Sequence, residues 1–242
     1  MKVLIFDLRG DYGHFRAYYS TSSPVSFSVI PPTALFGIIG AILGLPKENN
    51  EYLKILNRAK TKVAIKINNP IKKTRLGINL INTKGNIWVP KRRREGPRTP
   101  IKYEFLKEPG YRIFVTMEDK EVFRKLINMV QNHQTHYTIS LGLSELLADV
   151  SYVGLQEYVF NESESDYVEV STVVPLKDII DDGILVKEGM QFLKERIPFR
   201  MNTERVVEEY GQILMEVKGK KMNLKLKRYW KTEDGNENIV FI

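Results

Sequence analysis

From residue 2 to residue 158 the apolar periodicity changes in an order that few folds can satisfy. KVLIFDL (2–8) is a short, nearly unbroken apolar run, the pattern of a buried strand. PPTALFGIIGAILGL (31–45) opens with two prolines and a threonine, as a helix start does, and is apolar from Ala34 to Leu45 apart from its glycines. It falls short of the roughly 20 apolar residues that cross a bilayer, so it is expected to be a buried helix. ENNEYLKILNRAK (48–60) is amphipathic at helical spacing, and TKVAIKIN (61–68) alternates as a strand does. YRIFVTM (111–117) reads as another strand. EDKEVFRKLINMVQN (118–132) reads as a helix with acidic residues in its first turn, where the helix dipole favours them. A further strand runs from Asp149 to Tyr158.

With residues 69–110 set aside, the order is β, α, β, β, α, β. That order predicts an α+β fold of the ferredoxin-like, RNA-recognition-motif-like type over residues 1–160. The insert at 69–110, between the second and third core strands, carries strand-like pieces at 75–81 and in NIWVP, separated by the turn Lys84-Gly85-Asn86. A long insert in a compact domain is usually functional, and this one reads as a projecting β-hairpin. Residues 161–242 hold short strand-like runs (YVEVSTVV, QILMEV, MNLKLKRYW, IVFI), expected to form a β-rich C-terminal extension packed on the first domain. Gly37, Gly40 and Gly44 are poor helix formers, and close approach of another backbone is the simplest reason for them.

Charge separates along the chain. Residues 60–112 carry 15 basic and 3 acidic side chains, and residues 145–195 carry 3 basic and 12 acidic. A basic segment of this density points to a polyanion, since each Lys or Arg on a phosphate releases a condensed counterion. The acidic segment suits a face turned away from that polyanion, or one that docks a basic partner. The chain has no cysteine, which excludes disulfides, thiolate metal sites and a cysteine nucleophile. That composition fits a reducing cytoplasm, and the N-terminal residues read as a strand without the cleavage site of a signal peptide.

Lys91-Arg92-Arg93-Arg94-Glu95-Gly96-Pro97-Arg98 is the strongest local motif. Guanidinium groups fork onto phosphate oxygens, and Trp88, Tyr103 and Phe105 interleave stacking surfaces with the charge. Gly37-Ile38-Ile39-Gly40 has the spacing of a phosphate-clamping GxxG loop, but its isoleucines argue for burial. His133 and His136 are spaced to share a helix face but lack a third ligand, so capping of the helix end is expected instead of metal binding. His14 lies among Asp11, Tyr12, Arg16, Tyr18 and Tyr19. That group could bind RNA. It could also cut it without metal, with His14 as general base and Tyr18 or Tyr19 assisting.

The segment MKVLIFDLRGDYGHFRAYYSTSSPVSFSVIPPTALFGIIGAILG resembles the N-terminal signature of the CRISPR-associated Cas-five family, the repeat-associated mysterious proteins (RAMPs) of type I Cascade complexes. Its shared features are Phe15-Arg16, the serine-rich stretch, Pro-Pro-Thr and the glycine-spaced helix. Arg98-Thr99-Pro100 through Glu104-Phe105-Leu106, Pro109 and Tyr111-Arg112-Ile113 form a second block, close to the type I-B branch. Tyr137 through Leu141-Gly142 and Ala148 form a third. The resemblance covers about residues 1–160. It implies a palm with a β-hairpin thumb, capping the 5′ handle of the CRISPR RNA in antiviral defence. It also implies contacts with the adjacent Cascade backbone subunit and the large subunit. By the same resemblance Arg16, Thr33 and Gly37 lie beside the handle, and Arg92, Arg93, Arg94 and Arg98, with Lys91, lie on the thumb. The type I-C branch, which trims precursor RNA, has a Tyr with an adjacent Lys-His pair. No Lys-His dipeptide occurs here. The expectation is a non-catalytic RNA-binding subunit with no cofactor and no membrane attachment. A processing endoribonuclease is the main alternative, and a general RNA chaperone outside any such complex is a third.

Overall fold

In the computed structural model, residues 1–20, 23–81, 98–162 and 166–242 are described. The first part runs β1 (Lys2–Gly10), β2 (Tyr12–Gly13), α1 (Pro32–Leu43), α2 (Glu51–Arg58), β3 (Lys62–Ile67), β4 (Lys73–Ile81), β5 (Arg98–Lys107), β6 (Gly110–Thr116), α3 (Lys120–Gln131) and β7 (Ala148–Asn161). The rest is strand-rich: β8 (Tyr167–Val170), β9 (Val174–Pro175), β10 (Ile179–Leu185), β11 (Phe192–Met201), β12 (Val207–Glu216), β13 (Met222–Leu226), β14 (Tyr229–Thr232) and β15 (Asn238–Ile239). The fold is mixed, mostly strands with few helices.

One antiparallel sheet organises the molecule, in the order β15-β14-β7-β1-β6-β3. β1 is central and is covered on both faces, which is why its sequence is continuously apolar instead of alternating. Leu4, Phe6 and Leu8 face α1, β3, β6 and α3 in the largest core cluster. Val3 and Ile5 face the other way, into a cluster closed by Phe114, Tyr158, Trp230 and Phe241. Asp7 shares that second face and is buried. Burial would raise its pKa, but Arg112 (Nε–Oδ1 2.9 Å, Nη2–Oδ2 3.1 Å) and Asn68 (3.1 Å) more than offset this and hold the carboxyl below its ordinary value.

The sequence boundary near residue 160 is not a break in pairing. β14 pairs with the end of β7, and β15 follows it, so two C-terminal strands extend the main sheet. The outer edge of β3 receives further amides: Val173 donates to Ile65 (2.8 Å) and Ile242 to Val63 (2.9 Å).

α1 forms where the two prolines and the apolar run place it. It ends on Gly44 in the left-handed conformation (φ 68°), with Leu45 N–H donating to the Gly40 carbonyl (2.9 Å). The sequence led us to expect a neighbouring backbone against the helix glycines; instead, side chains lie against two of them and nothing lies against the third. A Cβ at Gly40 would lie 3.2 Å from the Tyr52 ring, one at Gly44 would collide with the His136 ring, and one at Gly37 would meet nothing within 4 Å. His136 and Tyr137 do act at a helix end, but at that of α1. Their backbone N–H groups donate to Ile42 (3.1 Å) and Ala41 (3.0 Å). His133 takes the left-handed conformation (φ 53°) just past α3, and its Nε2 meets Asp149 at 2.9 Å.

β4 and β5 pair antiparallel from Lys73↔Leu106 to Ile81↔Arg98. The strand-like piece NIWVP lies outside the described residues, and the strand that partners β4 is 98–107. Pro100 fits there because β2 pairs with β5 only at Leu106 and Lys107, which leaves Pro100 with no partner strand on that side among the described residues.

Two substitutions test this account of the core. Ile39→Ala, fully buried in α1, should cost about 2–5 kcal/mol. Asp119→Ala removes the side chain that accepts from Glu121 N–H (3.0 Å) and Val122 N–H (3.1 Å) at the start of α3. It should cost about 1 kcal/mol. Urea unfolding of both variants reads the order, and an equal or inverted order contradicts the assignment.

Candidate nucleic-acid interface

The segment between β2 and α1 is polar, yet much of it is buried, so its backbone must find partners away from the main sheet. It folds back on itself. Phe27 N–H donates to Phe15 (2.8 Å), Ala17 N–H to Val25 (2.9 Å), and Phe15 N–H to Ser26 Oγ (3.0 Å). Two carboxylates from distant strands complete the set. Glu104 of β5 accepts from Ser26 N–H (3.3 Å). Glu195 of β11 accepts from Ser28 N–H (2.8 Å) and Ser28 Oγ (3.3 Å). Lys73 binds both Glu104 (3.1 Å) and the Ser26 carbonyl (2.7 Å). Burial pushes the Glu195 carboxyl above its ordinary pKa, with the Ser28 amide acting against it.

This loop forms one wall of an open cleft of about 420 Å³. The opposite wall is the turn between β11 and β12, where Asn202 Oδ1 accepts from Glu204 N–H (3.0 Å) and Val206 N–H (2.9 Å) and so presents Arg205. An adjoining cleft of about 270 Å³ shares Phe15, Thr33, Tyr52 and Arg205 with the first. Arg16 and Thr33 line the first cleft, and Thr33 and Gly37 the second. The three residues placed together by sequence resemblance therefore share one face. Ile38 and Ile39 are buried in α1, so the GxxG spacing belongs to a helix and not to a clamping loop.

Sequence reasoning missed Arg205, Tyr210 and Arg196, which enter from β11, β12 and their turn. Tyr18 and Tyr210 lie 5.0 Å apart by ring centroid, and the Arg196 guanidinium sits 5.0 Å from the Tyr210 ring. The serine-rich loop was the available signal: a buried polar segment must have acceptors elsewhere in the chain, and Glu104 and Glu195 supply them.

The hairpin of β4 and β5 has two different faces. Lys73, Arg75, Lys102 and Arg98 are on one, with Glu104 among them. Leu76, Ile78, Leu80, Ile101, Tyr103 and Phe105 are on the other. Arg98 is exposed at the far end of the described pairing. Lys91, Arg92, Arg93 and Arg94, with Trp88, lie outside the described residues. Phe105 is buried and packs on His14 (5.6 Å), so the stacking surface expected of it is not offered to a ligand, whereas Tyr103 lines the cleft.

His14 is 3% exposed. Its Nδ1 lies 2.8 Å from the Glu104 carbonyl, and its ring lies 5.2 Å from that of Tyr103. Burial pushes its pKa down, with the carbonyl acting against this and the Arg16 charge adding to it. Tyr18 and Tyr19 are half-exposed and in edge contact with each other (5.4 Å). Burial raises the Tyr19 pKa, with the Glu195 charge adding to it. No cluster of three or more His, Asp or Glu side chains suited to a metal occurs among the described residues. No helix among them is long and apolar enough to cross a membrane.

A family model described as CRISPR-associated protein (Cas_Cas5) matches residues 3–213. A CRISPR protein from Archaeoglobus fulgidus is similar in structure with TM-score 0.58 and 17% identity, over 99% of this chain and 98% of that one. A chain of a CRISPR RNA-guided surveillance complex is similar with TM-score 0.52 and 12% identity, over 93% of this chain and 92% of that one. At those identities the likeness is one of fold. No curated protein sequence matches.

The loop clamp generates a pH prediction. A carboxyl whose folded pKa is raised contributes stability that is fully present below its unfolded value and is lost as pH rises through the folded value. Replacing Glu195 by Gln keeps an acceptor for Ser28 and removes the ionisation. The stability of wild type relative to Glu195→Gln should therefore fall as pH rises through and above the usual carboxylate range. Denaturant melts of both proteins at a series of pH values measure this, and a difference that is flat or of opposite slope contradicts the dominance of burial at this carboxyl.

Proposed function

Because the chain belongs to the CRISPR-associated Cas-five family, we propose that it is a non-catalytic RNA-binding subunit of a type I Cascade surveillance complex, capping the 5′ handle of the CRISPR RNA. The observation that carries this reading is the convergence of Arg16, Thr33 and Gly37 on adjoining clefts beside a hairpin with one basic face. Phosphates would be held by hairpin cations and bases by cleft aromatics. The order of β7, β1, β6 and β3, which is fourth, first, third, second among the core strands, supports reading the sheet as a ferredoxin-like palm. The β4–β5 pair, with the basic run Lys91 to Arg94 between its strands, supports reading the insert as a thumb. The three sequence blocks suggest the type I-B branch. The acidic stretch 145–195 suits contact with a protein partner, in this reading the backbone or large subunit. A cysteine-free chain that binds RNA suits the cytoplasm, and the reading requires no cofactor.

Processing activity remains a second reading because of one observation. His14 Nδ1 is tied to a carbonyl, which leaves Nε2 as the basic nitrogen. Against it, His14 is buried, and among the described residues none that lines the cleft is a carboxylate or lysine able to serve as a partner acid.

The test uses labelled CRISPR repeat RNA in a chelator, run on native and denaturing gels. The proposal expects a shifted, intact RNA, whereas a discrete cut without metal would make the protein an endoribonuclease. Binding should fall steeply with salt. Charge reversal of Arg92, Arg93 and Arg94 together should abolish the shift while leaving the unfolding midpoint unchanged. Reversal of Arg98 alone should lower the log–log salt slope by about 0.7 for each phosphate that Arg98 holds. Unchanged binding by the triple variant removes the hairpin from the mechanism.

A further inference from the structure

The main sheet is left open along part of β7. That strand pairs with β1 over 148–157, but β14 covers its other side only over 158–161. β14 stops there because the chain turns back after Thr232, with Gly235 N–H donating to the Thr232 carbonyl (2.9 Å). At the opposite end Ala148 N–H donates to the Ile139 carbonyl (3.1 Å), and Ser140 bridges to Leu147. Between these two stops, residues 150–157 have no outer partner strand among the described residues. A strand of that length spans about 26 Å.

The backbone there faces outward in one row. Tyr158 N–H points to β1, donating to the Met1 carbonyl (2.9 Å), so alternation turns Glu157 and Leu155 to the open side. Ala148 N–H already points to the open side, so Val150 and Tyr152 follow it. The extra residue of the bulge, Val153, reconciles the two halves. Solvent-facing edges are ordinarily blunted by lysine or proline, and 150–157 contains neither. It shows apolar side chains instead: Tyr152 is 38% exposed, Val153 40% and Leu155 37%. Tyr152 and Leu155 share the face of Phe6 and Leu4. α3 covers that face and ends at Gln131, whose Nε2 donates to Tyr152 Oη (3.1 Å).

Charge narrows what can lie there. Residues 137–176 hold seven Asp and Glu and no Lys, Arg or His. The turn that stops β14 adds Glu233 and Asp234 next to the Glu157 end of the open edge, and all three are exposed. Lys2 of β1, across from Glu157, is the basic residue facing that end. Two copies paired edge to edge would bring like charges together, which disfavours self-association.

We propose that the open edge of β7 takes an extended segment of another protein as an added strand, aliphatic at alternate positions, with Lys or Arg at the end that lies against Glu157 and the Glu233–Asp234 turn. Backbone hydrogen bonds supply the affinity in this mode, and the side chains beside Tyr152 and Leu155 and the acidic end supply the selectivity. The inference deepens the protein-partner contact of the reading above and rests on that contact, but not on RNA binding.

The experiment measures binding of fluorescein-labelled peptides to the full chain by anisotropy. The probes are KRVTVTVT, its acidic-ended counterpart EDVTVTVT, and KRVTVTVT with alternate backbone amides N-methylated, which cannot pair as a strand. The first should bind, the second about tenfold more weakly, and the third not at all. Hydrogen exchange at Leu155 should be fast in the free chain and slowed by the first peptide. Leu155→Pro removes one outward N–H and should abolish peptide binding while leaving the repeat-RNA shift unchanged. Glu157→Lys should erase the preference between the first two peptides. If Leu155→Pro does not fold, Glu157→Lys and the N-methylated probe still decide. No binding by KRVTVTVT, equal binding by its N-methylated form, or full binding by folded Leu155→Pro overturns the added strand. A wild-type dimer in sedimentation that Leu155→Pro dissociates makes a second copy the occupant and also overturns it. Each of these results leaves the RNA-binding reading standing, and absence of a repeat-RNA shift in wild type overturns that reading without touching the edge.

Discussion

A polar loop can lie against an apolar core only if its amides are satisfied there, and the rest of the candidate site depends on how this is done. Residues 14–31 are held by two half-buried carboxylates, Glu104 and Glu195, that arrive from a hairpin strand and from a C-terminal strand. Each carboxylate is costly to bury alone and is tolerated because serine amides and hydroxyls, and for Glu104 also Lys73, surround it. The same contacts fix the hairpin, the loop and the C-terminal strands relative to one another. The cleft is the space left between these anchored parts. Gly142 is part of that arrangement. It sits at φ 103°, where a Cβ would overlap the His14 carbonyl, and His14 N–H donates to Leu141 (2.8 Å).

The sheet supplies the rigid base. Because β1 is buried on both faces, the chain needs material on both sides of it, and the two sides are built differently. Helices α1 and α3 cover one face. Residues from β14, β15 and the final strand-like run cover the other, so the C-terminal part completes the first domain's second face. This explains why the cleft can draw Arg205 and Tyr210 from one part of the chain and Arg16 and Thr33 from the other without a flexible joint between them.

The local elements were legible because local periodicity decides them. The proline-initiated helix, the capped helix after Asp119 and the alternating strand at 62–67 follow from residues within a few positions. The hairpin was legible as an insert, but its second strand was not, since 98–107 carries Pro100 and charges that obscure the alternation. Long-range partners were opaque. Glu104 and Glu195 look in sequence like ordinary surface acids, and only the fold shows them half-buried against a loop. Arg205 and Tyr210 reach Arg16 through strand pairing about 190 positions away, and no spacing rule reports that. Gly40 illustrates the reverse case. Its helical position demanded an explanation, but the tyrosine ring that provides it comes from the following helix. Arg16, Thr33 and Gly37 were singled out through family resemblance, because none of them stands out by composition.

The central claim is that one surface, formed by the loop after β2, the hairpin and the β11–β12 turn, is where RNA lies. Photocrosslinking of the full chain to repeat RNA carrying 4-thiouridine, followed by mass spectrometry of the peptides, reads that surface directly. The account predicts crosslinks within 14–37, 98–107 and 198–210, the last of these from the C-terminal strands. Crosslinks confined to the acidic stretch 145–195 would contradict it.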